Sequence, residues 1–135
     1  MNSASEARAE SERWLRFARE DMRVAGALLK DGTGMPRHVC WLAQQAAEKA
    51  IKAGLVFLQR DFPRSHDLDA LRNLLPDDWR IKTVSSDLAD LTEWAVEARY
   101  PGQWPEASPP DAESALRQAA AVLDAIEADL RGRRT

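Results

Sequence analysis

The segment Cys40–Phe57, CWLAQQAAEKAIKAGLVF, is the longest unbroken helical pattern in the chain. At about 100° per residue, Val39, Ala43, Ala46, Ala50, Ala53 and Phe57 fall on one line. Trp41, Gln45, Glu48, Lys52 and Gln59 fall on the opposite line, flanked by Lys49. The apolar line is mostly alanine. Small side chains let a neighbouring helix approach to the short end of the ~8–10 Å range of interaxial distances. The spacing predicts the central helix of a bundle, with its polar line facing water, a cleft or a partner.

On either side of this segment the chain reads as further helices. Helix one is expected from Ser11 to Lys30, with Trp14, Ala18, Met22, Ala25, Leu28 and Leu29 inward and Asp21 within that stripe. A carboxylate there sits at the edge or has a partner, because an unpaired buried charge is very costly. Lys49, Lys52 and Arg99 are its candidate partners. Asp31-Gly32-Thr33-Gly34 ends the helix, and Pro36 opens the central helix, which continues to about Arg60. Asp61-Phe62-Pro63 breaks it. Ser65 is a candidate N-cap for a short helix through Leu75, with Leu68, Leu71 and Leu75 forming its apolar edge. Trp79 and Ile81 anchor the next loop. A fourth main helix is expected from Ser85 to Arg99, with Val84, Leu88, Leu91, Ala95 and Ala98 inward, ending before Pro101. The last helix is expected from Pro110 to Arg131. No strand of useful length is present. The expected fold is all-α: an up-and-down antiparallel bundle of four main helices plus one short one.

The chain of 135 residues is long enough for one domain with a real core. Residues 1–10 are expected to form a disordered tail, and 11–131 the bundle. A net charge of −3, with both signs interspersed, excludes the broad basic footprint of a protein that holds duplex nucleic acid by bulk electrostatics. The single cysteine, Cys40, excludes an intrachain disulfide and reads as a buried structural thiol, which makes the cytoplasm the expected compartment. The longest wholly apolar run, Leu55 to Leu58, is far short of the ~18 residues of a membrane span. No Cys/His spacing suits a metal, and no cofactor is expected.

Four pieces of the sequence together resemble the HEPN family. They are W-x-x-x-A-x-x-D-M at Trp14, Ala18, Asp21 and Met22; Q-Q-A-A-E-K-A-I-K-A at Gln44–Ala53; H-D-L at His66–Leu68; and A-R-Y-P at Ala98–Pro101. The resemblance implies a helical bundle that often dimerises and has roles around nucleotides or RNA. It is similar to the branch often encoded beside a minimal nucleotidyltransferase, many of whose pairs are toxin–antitoxin systems. Other branches are metal-independent ribonucleases with an Arg-x4–6-His motif, in which the arginine steadies phosphate and the histidine acts as general acid or base.

The arginine of that motif maps most naturally to Arg99. The three positions where a histidine should follow hold Trp104, Pro105 and Glu106, so the motif is broken there. Arg60 and His66 make a second arithmetic match, across a proline-containing break. The candidate catalytic residues are therefore Arg99, His66 and Arg60. Gln45, Glu48, Lys49, Lys52, Arg99 and Tyr100 are the candidates to line a ligand groove or partner contact. The polar line of helix two reads equally well as a solvated face, and His66 as a cap or turn residue. Three functions follow from these readings. The first is a homodimeric nucleotide- or RNA-associated module acting with a separate nucleotidyltransferase. The second is an endoribonuclease using Arg99 or Arg60 with His66. The third is a dimerisation unit without ligand.

Overall fold

The computed structural model describes residues 3–32, 35–95 and 106–133. All regular structure among them is helical. Three long helices, α1 (Ala4–Asp31), α2 (Pro36–Phe57) and α6 (Pro109–Arg131), carry the bundle. Three single-turn helices, α3 (Leu68–Arg72), α4 (Ile81–Val84) and α5 (Ala89–Thr92), lie between α2 and α6.

Helix α1 starts at Ala4, so residues 4–10 are helix and not the expected tail. Ser3 caps it, accepting the Glu6 N–H on its hydroxyl, and Ala7 is buried. Its end is set by Gly32, whose φ of 68° is the left-handed conformation that suits glycine and lets its N–H reach the Leu28 carbonyl.

α2 turns back against α1. The buried Ser11 hydroxyl donates to the Ala53 carbonyl at 2.7 Å, and Lys49 pairs with Asp21 at 2.5 Å, so the two helices are antiparallel. The alanine line is the contact surface: Ala43, Ala46, Ala50 and Ala53 are fully buried. α6 packs on another side of α2 and runs parallel to it. Gly54 lies beside Ile126 at one end, and Cys40 is within electrostatic reach of Asp111 at the other. α1 up, α2 down and α6 down leave the short helices as the returning leg.

That leg differs from expectation. The fourth helix, expected from Ser85, begins only at Ala89, and the residues after 95 lie outside the described part. The reason is competition from side chains of α3. Asp69 Oδ1 accepts the Leu88 N–H at 2.9 Å, and Arg72, itself paired with Asp69, donates to the Ser85 carbonyl at 3.0 Å. Backbone groups that an earlier helix start would use are thus taken. Leu88 and Leu91 face inward as expected, but Val84 is exposed. Asp67, not Ser65, caps α3, because its carboxylate accepts the Ala70 N–H. Residues 81–84 form α4, an extra turn held by burial of Ile81 and the adjacent Trp79. α6 opens with a capping box between Ser108 and Asp111.

Candidate functional site

The polar line of α2 is not a solvated face. Glu48 and Gln44 are buried because the segment that follows α2 folds back over them and delivers His66. Glu48 Oε1 lies 2.8 Å from His66 Nδ1 and 3.1 Å from Gln44 Nε2, and its Oε2 accepts from Lys52 Nζ at 2.9 Å. Gln44 Nε2 also lies 3.2 Å from the His66 carbonyl, which fixes the backbone as well as the ring. Gln45 donates to Gln44 Oε1 at 2.7 Å and completes the chain of contacts.

Burial, the largest influence on Glu48, pushes its carboxyl pKa up. Hydrogen bonds from Lys52, His66 and Gln44, together with the Lys52 charge, outweigh it and hold the group below its ordinary value. Glu48 is therefore ionised at neutral pH. An ionised carboxylate only accepts, so His66 carries its proton on Nδ1 and donates it to Glu48.

Lys52 is committed elsewhere as well. Its ammonium stands 5.5 Å from the Phe62 ring centroid and 5.9 Å from that of Trp14, and these two rings meet edge to face. Trp14 on α1, Lys52 on α2 and Phe62 in the following segment are thereby tied together.

The expected site residues divide accordingly. Glu48, His66, Lys52 and Gln45 come together in one cluster. Asp21 takes Lys49 from among its three candidate partners, and both side chains keep about a quarter of their surface exposed, 27% for Lys49 and 20% for Asp21. A rim pair of this kind contributes about 1 kcal/mol or less. Arg60 donates to the Leu74 carbonyl at 2.5 Å. Arg99 and Tyr100 lie outside the described residues. Gln44 was not among the expected site residues, although its hydrogen bonds join the two halves of the cluster. Its position beside the polar line, one turn before Glu48, was the available signal.

Cys40 is buried, and burial first, then the Asp111 charge, pushes its thiol pKa up to about 11. It remains a neutral thiol, as its expected structural role requires. No group of three or more His, Cys, Asp or Glu among the described residues is placed to hold a metal ion, and no described helix is long and apolar enough to cross a membrane. A cavity of about 320 Å³ between α5 and α6 carries Asp90, Glu93, Glu106 and Asp111 on its wall. Its negative lining does not suit a phosphate, and it does not include the His66 cluster.

The family model described as HEPN domain matches residues 11–129. No curated protein matches the chain. Among solved structures the chain is similar to TT1696 from Thermus thermophilus, a crystal structure with a TM-score of 0.74 and 28% sequence identity, covering 87% of this chain and 95% of that one. HEPN membership supports a nucleotide- or RNA-associated module. The matched span runs through all three long helices and takes in the whole Gln44–Glu48–His66 cluster, and the chain belongs to the HEPN domain family.

Proposed function

We propose that this HEPN domain is a nucleotide- or RNA-associated interaction module, working as a homodimer with a separately encoded minimal nucleotidyltransferase in a two-component, toxin–antitoxin-like system. The observation that carries the ligand part of this reading is the cluster around Glu48. It combines a buried carboxylate, a half-exposed imidazole and an amide on one corner of the bundle. The partner and dimer parts rest on the family alone.

Binding of a labelled mixed-sequence RNA by the purified protein, followed by fluorescence anisotropy, tests the ligand. Saturable binding that weakens in His66→Ala is the expected result, and no binding overturns it. Light scattering gives the oligomeric state. A small nucleotidyltransferase reading frame beside the gene, and co-purification of its product, test the partner.

The ribonuclease reading is favoured by one observation: the His66 imidazole is held by an ionised carboxylate, an arrangement suited to general acid–base work. Incubating RNA with the protein in a chelator checks it. Cleavage that disappears in His66→Ala supports the enzyme, and intact RNA excludes it.

A further inference from the structure

One flank of α1 carries an unbalanced charge. At about 100° per residue, Arg16, Arg19, Arg23 and Lys30 fall within about 60° of one another, and all four are exposed. The side chains of Arg16, Arg23 and Lys30 make no hydrogen bond or ion pair among the described residues. Arg19 pairs with Glu127 of α6 at 3.2 Å, but Arg131 reaches the same side chain at 3.9 Å, so two cations share one anion there. α1 runs antiparallel to α6, as it does to α2, which puts Arg131 on the Arg16 side of that junction. Glu12 lies in the same sector one turn before Arg16 and is half-buried, and Glu20, one line aside, is exposed. The whole chain carries a net charge of −3, so this concentration of positive charge is local.

Like charges three and four residues apart on a helix repel each other, and no internal anion offsets Arg16, Arg23 or Lys30. A polyanion does. Arg16, Arg23 and Lys30 follow one another at intervals of about 10 Å along the helix, a row suited to an extended backbone. An aromatic ring adjoins the row. Phe17 is 44% exposed, and the Arg16 guanidinium stands 5.2 Å from its ring centroid. Guanidinium planes and aromatic rings are both surfaces on which unpaired bases stack. A duplex keeps its bases inside and has no use for such a platform. An acidic polypeptide would use the charges but not the stacking surface. Cations beside a platform suit a single strand.

We propose that this flank of α1, from Arg16 to Lys30 and extended by Arg131, holds a single-stranded RNA, with the cations on its phosphates and a base stacked on the Arg16–Phe17 pair. This deepens the RNA-association reading above and rests on it. The surface is separate from the His66 cluster, because Trp14, through which α1 meets Lys52, points to the other side of the helix.

The salt dependence of binding tests it, read by fluorescence anisotropy of a labelled mixed-sequence RNA dodecamer over a series of salt concentrations. On a single strand the logarithm of affinity falls against the logarithm of salt with a slope of about 0.7 per neutralised phosphate. The double variant Arg16→Gln, Arg23→Gln is expected to bind more weakly and to show a slope smaller by about 1.4. Phe17→Ala should lose about tenfold in affinity at every salt concentration and keep the wild-type slope, because stacking releases no counterions. Glu20→Gln removes the exposed acid beside the row and should bind more tightly. Arg117→Gln, an exposed arginine beside the loop between α4 and α5, should change neither quantity. Every replaced side chain is exposed on a helix, so these variants keep the fold, and thermal melts check that they do. RNA binding with an unchanged slope and affinity in the double variant overturns the α1 surface and leaves RNA association standing. No binding by the wild type overturns the association and the surface with it. Polyglutamate of equal charge bound as tightly as RNA assigns the surface to an acidic polypeptide and overturns the RNA assignment.

Discussion

Gly54 lies so tightly beneath the Trp79 ring that an added Cβ would stand 2.9 Å from it, with Leu75 at 3.2 Å and Ile126 at 3.5 Å. Trp79 is itself 1% exposed and covered by the Arg133 guanidinium at 4.8 Å from its ring centroid, so the ring cannot swing away cheaply. Alanine in place of glycine inside a helix gains about 1 kcal/mol of propensity. Overpacking a closed core costs about 1–3 kcal/mol, and here three neighbours must yield together. Gly54→Ala is therefore expected to lower stability by about 1 kcal/mol, read as a lower urea midpoint at unchanged slope. A stabilised variant would show that the α2–α6 contact is looser than this geometry.

Gly26 is the internal control. It sits within α1, and a Cβ there meets nothing within 4 Å. Only the propensity gain and the stiffer unfolded chain remain. Gly26→Ala should raise stability by about 0.5–1 kcal/mol, and its thermal midpoint should move opposite to that of Gly54→Ala.

The different fates of these glycines show what could be read from sequence. The 3.6-residue pattern of Val39, Ala43, Ala46, Ala50 and Ala53 located α2 and its contact face, and all five are buried. The HEPN family was also legible, from short ordered motifs spanning the chain. Burial of Glu48 was not. Its angular position put it opposite the alanine stripe, and nothing local says that the segment carrying Phe62 and His66 returns across it. Periodicity reports one helix at a time, whereas the cluster is made by contacts across 18 and 22 residues of chain. The same limit hid the late start of α5, which depends on Asp69 and Arg72 reaching from another helix.

That last arrangement makes a prediction of its own. Asp69 accepts from the Leu88 backbone and pairs with Arg72, which is buried and also donates to the Ser85 carbonyl. Asp69→Ala leaves a part-buried N–H without an acceptor and a buried guanidinium without its counter-charge. The expected loss is about 2–3 kcal/mol. Hydrogen exchange at the Leu88 amide should accelerate beyond the change in global stability, because the tie is local. Asp69→Asn keeps an acceptor and should recover part of the protection. Unchanged exchange at Leu88 in Asp69→Ala would remove the explanation given for the shortened α5.

Acid should act on the bundle through Glu48. Its carboxyl titrates below the ordinary value in the folded protein, despite burial, because Lys52, His66 and Gln44 stabilise the ionised form. A group with a depressed folded pKa binds its proton more tightly in the unfolded chain, where a glutamate titrates near ~4.3. Its contribution is therefore fully present above about pH 5 and is lost as pH falls through the lowered folded value. Glu48→Gln removes the titration and most of the charge-assisted bonding. The variant should be less stable than wild type at pH 6, and the gap should narrow as the pH falls below about 5, where wild type loses the contribution the variant never had. Thermal melts at half-unit pH steps measure that gap. A gap that stays constant as the pH falls would mean that Glu48 titrates alike in the folded and unfolded chain, and that Lys52, His66 and Gln44 do not favour its ionised form on folding.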